Sequence, residues 1–144
     1  MDRHFERLTL PAHLNSLHPL VEFVRAGAES AGLGPDELDK LDLILEELLV
    51  NIARYAYQPA SGVVEVAYAA DGPGVLLVEI SDSGRIFNPL KNEAADLSGG
   101  LADRPVGGLG VFLVRWLADS ITYRREQGRN MVSFRFPGPK VAGT

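Results

Sequence analysis

Hydrophobic residues recur with helical spacing in two segments of the N-terminal third of the chain. The spacing predicts a first helix from about residue 16 to residue 31, which Gly32 ends. A second helix is predicted from Pro35, a residue that favours the first helical position, and it ends before Pro59. Its apolar positions step by three and four: Leu38, Leu41, Leu45, Leu48, Ile52 and Tyr55. One face of this helix is therefore predicted to be core.

Short runs of apolar and β-branched residues between turn signals predict five strands. These are Phe5–Leu10, Val63–Ala69, Val75–Ser81, Ile121–Arg125 and Met131–Phe136. The residues 71–74 are predicted to turn between the second and third strands, and Gln127-Gly128-Arg129-Asn130 between the last two. Since hairpins dominate, we expect an α+β two-layer sandwich, with a mostly antiparallel mixed sheet covered on one face by helices. The arginines near the last hairpin, Arg124, Arg125 and Arg129, are expected to be solvated.

The segment from residue 90 to residue 108 has no clear period, and a loop of this length inside a compact domain usually has a function. A third helix is predicted from about residue 110 to residue 119, with Trp116 on its buried face. Three glycines stand at its entrance: Gly107, Gly108 and Gly110. Free backbone N–H groups and the helix dipole favour an anion there. No Gly-Lys-Ser/Thr follows, so this is not a P-loop.

Composition narrows the function classes. A chain of 144 residues suits a single domain, here residues 1–144. The 14 basic and 19 acidic residues give a net charge of −5 without any basic run, which argues against direct nucleic-acid binding. Cysteine is absent, which excludes thiolate catalysis and disulfides. Neither a membrane span nor a signal peptide is recognisable, so we expect a cytoplasmic protein without a membrane partner.

A polar stripe interrupts the second helix. Glu47, Asn51 and Arg54 stand at i, i+4 and i+7, and they project within about 60° of one another. One interpretation is a solvated face with a charge pair. The other is a site facing a cavity, because a carboxylate can accept a proton, an Asn oxygen suits Mg²⁺, and Arg suits phosphate.

The motif Asp82-Ser83-Gly84 is by itself typical of a turn after a strand. The full order is more specific: Glu-x-x-x-Asn on a helix, Asp-x-Gly after a strand, a long loop, and Gly-Gly-Leu-Gly opening a helix. This combination resembles the GHKL ATPase superfamily, and within it the anti-sigma-factor serine kinases, also called anti-sigma regulatory factors. The segments 47–57, 82–89 and 103–115 carry the resemblance, which extends over nearly the whole chain. It implies the Bergerat-type ATPase fold.

The resemblance also implies roles for individual residues. Glu47 matches the general base, Asn51 the Mg²⁺ ligand, and Asp82 the acceptor of a hydrogen bond from the adenine amino group. Gly84 matches the glycine that lets the backbone approach the base. Near the phosphates the resemblance places Arg54, Arg104 in the ATP lid at about residues 90–108, and the lid-closing glycines Gly107, Gly108 and Gly110. The implied ligands are ATP and Mg²⁺.

Three positions depart from the family pattern. Tyr55 stands where the family commonly has His, and Ile86 stands where many members have a second Gly. A Thr that the superfamily places near adenine has no clear match on the last strand, where Met131 and Ser133 are the nearby residues.

The function that the resemblance implies is phosphorylation of a serine or threonine on an anti-anti-sigma (STAS-type) partner, together with sequestration of a sigma factor. Relatives are often dimers, so a homodimer is a further expectation. Three alternatives stay open: an ATP-gated binding module without phosphotransfer, a histidine-kinase-type catalytic domain acting in trans, and an interaction domain that has lost nucleotide.

Overall fold

Five strands form one sheet in the computed structural model, which describes residues 4–57, 62–91 and 114–138. The strands are β1 (Glu6–Pro11), β2 (Val63–Ala70), β3 (Leu76–Asp82), β4 (Asp119–Glu126) and β5 (Arg129–Phe136). Their order in the sheet is β1-β2-β3-β5-β4, and all four pairings are antiparallel. The predicted α+β class and the mostly antiparallel sheet are confirmed. β3 lies at the centre, between the β2 and β5 strands.

Two helices cover one face of this sheet. A short 3-10 turn (Leu14–Ser16) leads into α1 (Leu17–Ser30), and α2 spans Pro35–Tyr55. The start of α2 is stabilised by Glu37, whose side chain accepts a hydrogen bond from the Gly34 N–H at 3.2 Å. Since the predicted helices and strands occur within a few residues of their expected bounds, local periodicity accounts for this part of the fold.

The core lies between α1, α2 and the inner face of the sheet. Val66, Ile80 and Val132 stand side by side across three strands and are fully buried. The helix α1 approaches β2 closely, because Gly27 has no side chain. A Cβ atom at Gly27 would lie 2.1 Å from the ring of Tyr68. The two layers therefore pack as the predicted sandwich.

The third helix differs from its prediction. Residues 114–117 are helical, and Asp119 already belongs to β4. The predicted burial of Trp116 is wrong, because its side chain is 64% exposed. Val114 and Ala118, which are spaced by one helical turn, form the buried face instead. Trp116 projects about 200° around the helix from Val114 and so faces away from the core.

The last hairpin turn is also shorter than predicted. Gln127 and Gly128 both have positive φ, 53° and 76°, as a two-residue type I′ turn requires. Arg129 and Asn130 are therefore the first residues of β5 and not part of the turn. This shift of two residues places the Asn130 side chain in the sheet.

No helix in the three described ranges has the length and apolar composition needed to cross a bilayer. The single domain over residues 1–144 stays a prediction.

The buried face of α2 provides a test of the fold. We expect Leu45→Ala to lower the free energy of unfolding by about 2–5 kcal/mol, because it leaves a cavity between helix and sheet. Leu43→Ala is the matched control on the same helix. Since Leu43 is 50% exposed, its loss should cost less than about 0.5 kcal/mol. Urea unfolding followed by circular dichroism measures both, and equal losses would contradict this packing.

Candidate functional site

The polar stripe of α2 begins with a direct contact between two of its predicted residues. Asn51 Nδ2 donates a hydrogen bond to Glu47 Oε2 over 3.2 Å. Asn51 is buried, whereas Glu47 is half-buried and neighbouring Glu46 is exposed. The i, i+4 spacing thus brings the carboxylate and the amide together on one face, as the sequence predicts.

The orientation of the Asn51 amide decides what it can bind. A carboxylate can only accept hydrogen bonds, so the Asn51 nitrogen must face Glu47. The same nitrogen lies 3.4 Å from the carbonyl oxygen of Pro89. Asn51 Oδ1 is therefore the atom of this side chain that is suited to a cation.

Glu47 has electrostatic surroundings that suit a proton acceptor. Burial raises the pKa of its carboxyl group above the ordinary value. The hydrogen bond from Asn51 and the positive charge of Arg54 both act to lower this pKa, but the effect of burial is larger. Arg54 itself is exposed near the end of α2. A carboxylate with a raised pKa is a stronger base than a solvated one.

Asp82 is the last residue of the central strand and is only 2% exposed. Its Oδ1 accepts two hydrogen bonds, from the Gly84 N–H at 2.9 Å and from Asn130 Nδ2 at 2.9 Å. Burial raises the pKa of Asp82, although these two bonds and the charges of Arg125 and Arg129 lower it in part. Burial of a carboxyl group with a perturbed pKa is common at functional sites, so this position is a candidate binding site.

Gly84 allows the segment after β3 to pack against the end of α2. A Cβ atom there would lie 2.3 Å from the carbonyl oxygen of Ala56. The same carbonyl accepts a hydrogen bond from the Arg85 N–H at 2.9 Å. Close packing against Ala56 therefore explains why a glycine is needed at position 84. The predicted approach of Gly84 to a nucleotide base stays a prediction.

Two tyrosines at the end of α2 hold the same segment. The Ser83 N–H donates to the Tyr57 hydroxyl at 2.7 Å, and this hydroxyl donates to the Val63 carbonyl at 2.7 Å. The ring of Tyr55 packs on that of Phe87, with centroids 5.8 Å apart. Tyr55, which stands where the resemblance places a His, thus contributes to packing.

A single stretch of backbone connects Asp82 with the Glu47–Asn51 pair. From Asp82 it passes the end of α2, and at Pro89 its carbonyl oxygen reaches Asn51. Arg115 on the third helix lies at the far end of this stretch, with its guanidinium 3.5 Å from the Leu90 carbonyl oxygen. The structure therefore brings Asp82, Asn51 and Glu47 to one side of the molecule, along α2.

Asn130 is a functional candidate that the sequence reasoning missed. It pairs directly with Asp82 across β3 and β5, whereas Met131 pairs with Ser81 and Ser133 with Glu79. Neither Met131 nor Ser133 shares the inner face with Asp82, because side chains alternate along a strand. The sequence predicts Asn130 to lie in the turn, where polar residues are ordinary. Its only sequence signal was its place directly before a predicted strand.

The expectation of solvated arginines holds for Arg124, which is exposed, but Arg125 and Arg129 are half-buried and bind other parts of the protein. Arg125 donates to the Gly84 carbonyl at 2.8 Å, and Arg129 donates to Ser81 Oγ at 2.6 Å. Arg124 contacts Glu126 on its own strand at 3.2 Å. Arg125 and Arg129 thus bind the end of β3 from opposite faces of the sheet, because β-strand side chains alternate.

Several predicted site residues lie outside the described residues: Arg104, Gly107, Gly108, Gly110 and all of the proposed lid beyond residue 91. Ile86 is described, and its side chain is exposed. The described ranges contain no group of three or more His, Asp or Glu side chains that could hold a metal.

Comparison with known proteins gives a family assignment. A family model described as the histidine kinase-like ATPase domain matches residues 10–136. Relatives named serine-protein kinase RsbW, from Bacillus thuringiensis (strain Al Hakam) and Bacillus cereus (strain 03BB102), are 24% identical over 122 residues, covering 81% of this chain and 76% of theirs. The histidine kinase AdeS of Acinetobacter baumannii is a structural neighbour with a TM-score of 0.48 and 16% identity, covering 95% of this chain and 68% of AdeS.

The buried Asp82 carboxyl group predicts a pH dependence of stability. Because burial raises its pKa in the folded state, folding binds a proton between the unfolded and folded pKa values. Stability should therefore fall as pH rises through that window, which begins at about pH 3.9. Asp82→Asn removes this loss. We therefore expect the free energy of unfolding of the variant, relative to that of the native protein, to increase as pH is raised from 4 to 7.

Urea unfolding over this pH range measures the difference between the two proteins. Glu46→Gln, at an exposed position of α2, controls for the change in net charge. A constant difference between Asp82→Asn and the native protein at all pH values would contradict a raised pKa of Asp82.

Proposed function

Because the chain belongs to the family of histidine kinase-like ATPase domains, we propose that it transfers the γ-phosphoryl group of ATP to a serine or threonine of an anti-anti-sigma protein. The family implies ATP binding, and the relatives named serine-protein kinase support a hydroxyl acceptor. The observation that carries the proposal is the contact between Glu47 and Asn51. This contact between a carboxylate and an amide supports a proton acceptor beside a cation ligand.

Asp82 is proposed as the acceptor for the adenine amino group. Both hydrogen bonds that hold its carboxylate go to Oδ1, which leaves Oδ2 to accept one from a bound base. Because the carboxylate is already buried and oriented, binding a base there requires little further ordering. A guanine presents a carbonyl oxygen at the same position and would repel the carboxylate.

The residues present fit a Mg²⁺ ion. Asn51 Oδ1 would hold it together with phosphate oxygens of ATP, since Mg²⁺ commonly keeps one or two protein ligands beside substrate phosphates. When bound, Mg²⁺ offsets the negative charge of the phosphates.

Glu47 is proposed to accept the proton of the attacking hydroxyl. In this step the serine oxygen forms a bond to the γ-phosphorus, and the bond between that phosphorus and the β,γ-bridging oxygen breaks. ADP leaves with the bond electrons, and the hydroxyl proton passes to the Glu47 carboxylate. The raised pKa of Glu47 favours this transfer, and the hydrogen bond from Asn51 holds the carboxylate in place.

The regulatory part of the proposal follows the resemblance to anti-sigma regulatory factors. The chain would bind a sigma factor and release it when an unphosphorylated anti-anti-sigma protein competes for the same domain. The phosphorylation that the chain itself catalyses would then weaken the competitor. A homodimer is part of the proposal.

Incubation of the chain and Mg-ATP with anti-anti-sigma proteins from the same organism tests this directly. Phosphoserine or phosphothreonine on one of them, located by mass spectrometry, is the expected result. Nucleotide binding without any transfer would favour an ATP-gated binding module. Phosphohistidine on a separate protein would favour a histidine-kinase-type domain acting in trans.

Two adjacent carboxylates give a sharper test of the chemistry. Glu47→Gln should lower single-turnover transfer by about 10²–10⁴-fold while Mg-ATP binding stays nearly unchanged, because Gln keeps the shape but cannot take the proton. Glu46→Gln should keep its activity within a few-fold, since Glu46 is exposed on another face. Transfer from labelled ATP, with a fluorescent ATP analogue to measure binding, separates the two effects. Full activity in Glu47→Gln would remove this residue from the mechanism.

The base preference provides a second test. In Asp82→Asn the side-chain oxygen is expected to stay with the Gly84 and Asn130 donors, so the amide nitrogen replaces Oδ2. This nitrogen and the adenine amino group are both donors, so they cannot form a hydrogen bond with each other. The nitrogen can, however, donate to the guanine carbonyl oxygen. We expect ATP affinity to fall by about 1–3 kcal/mol and GTP affinity to rise. Isothermal titration with both nucleotides measures this, and an unchanged ratio would exclude Asp82 from base recognition.

A further inference from the structure

The side chain of Asn130 makes five hydrogen bonds, and the residue is only 1% exposed. Its Nδ2 group donates to Asp82 Oδ1 at 2.9 Å and to the Arg85 carbonyl at 2.7 Å. An amide nitrogen has two hydrogens, so these two bonds use its whole donor capacity. Asn130 therefore has no donor left for a ligand.

The oxygen of the same amide is equally occupied. Asn130 Oδ1 accepts from the Phe87 N–H at 3.1 Å, from the Tyr123 hydroxyl at 2.6 Å and from Arg125 at 3.2 Å. One buried side chain thus connects the end of β3, the segment that follows it and the edge strand β4. Any effect of Asn130 on a ligand must pass through these neighbours.

Two of the groups that Asn130 holds belong to the proposed base site. One is the Asp82 carboxylate, which Asn130 turns so that Oδ1 faces the protein. The other is the backbone from residue 84 to residue 87, which is bound at the Arg85 carbonyl and at the Phe87 N–H. Since an Asp carboxylate turns easily about its last torsion when unheld, the Asn130 amide and the Gly84 N–H together fix the direction in which the second oxygen points.

We propose that Asn130 is the positioning residue of the base subsite and that it sets the preference of the site for adenine over guanine. The proposal rests on the proposed function, because it takes Asp82 Oδ2 as the acceptor for the base. Asn130 acts by fixing that acceptor and the adjoining backbone. It touches neither the base nor the phosphates.

The charge and shape of the amide make the role specific. An Asp at position 130 would keep the volume but replace the donor toward Asp82 with a second carboxylate oxygen. Two ionised carboxylates at 2.9 Å repel each other, so the Asp82 side chain would leave its present orientation at any pH at which the pair does not share a proton. The acceptor for adenine would be lost while Glu47 and Asn51 on α2 stay in place.

Asn130→Asp is therefore the test variant. We expect its dissociation constant for Mg-ATP to rise by about tenfold or more, and that for Mg-GTP to change by less than about threefold. The ratio of the two affinities should collapse. With a phosphorylatable partner, KM for ATP should rise while kcat at saturating ATP stays within about threefold. The reason is that Glu47, the proposed proton acceptor, is untouched.

Val132→Ala is the matched control for a merely structural effect. Val132 lies two residues further along β5, on the same face, and is fully buried. Its side chain has no group that could hydrogen-bond the Asp82 carboxylate. Its loss should lower stability but keep the native preference for ATP over GTP. If Asn130→Asp also keeps that preference, the proposal is overturned.

If Asn130→Asp does not fold, Tyr123→Phe decides the question. It removes the hydroxyl donor to Asn130 Oδ1 and leaves Asp82 itself untouched. We expect the preference for ATP over GTP to fall by about twofold to fivefold, and an unchanged preference would overturn the proposal.

Failure of the kinase proposal is distinguishable from failure of this one, because nucleotide affinities are measured without a partner. A native protein that prefers ATP but transfers no phosphate would contradict the kinase function alone. A native protein without any preference for ATP would contradict the role of Asn130, whatever transfer is observed.

Discussion

The burial of one carboxylate at the end of the central strand is the constraint on which the site depends. Asp82 is held in an apolar layer that also contains Ile80 and Val132, and such burial is unfavourable unless the oxygen atoms are hydrogen-bonded. The Gly84 N–H and the Asn130 amide provide those bonds. The short type I′ turn before β5 serves the same requirement. Without the turn, Asn130 would not lie opposite Asp82.

The helix α2 combines two roles that usually compete. Its apolar face forms much of the core, whereas Glu47 and Asn51 stand on a second face at the border of the core. A site on a rigid helix keeps its side chains in a fixed relation, which favours chemistry that depends on distance. The helix end also anchors the backbone from residue 83 to residue 87 through Ala56 and Tyr57. Movement of α2 would therefore disturb both halves of the site together.

Family membership and local structure explain different parts of the molecule. The match over residues 10–136 accounts for the order of motifs and for ATP as the expected ligand. The contacts of this chain explain its departures from the family pattern. Tyr55 packs on Phe87, and Asn130 occupies the inner face of the sheet beside Asp82, where neither Met131 nor Ser133 could point.

The sequence by itself determined the features that depend on near neighbours along the chain. The contact between Glu47 and Asn51 follows from helical spacing, and the hairpins follow from alternation and turn residues, because backbone geometry repeats over a few residues. Only the tertiary structure decided the position of Asn130, the exposure of Trp116 and the reason for Gly84. Two of these depend on a partner far away in the chain: Asp82 is 48 residues from Asn130, and Gly84 meets the end of α2 at Ala56. Register between strands and packing between layers are set by the whole core, and no local pattern contains them.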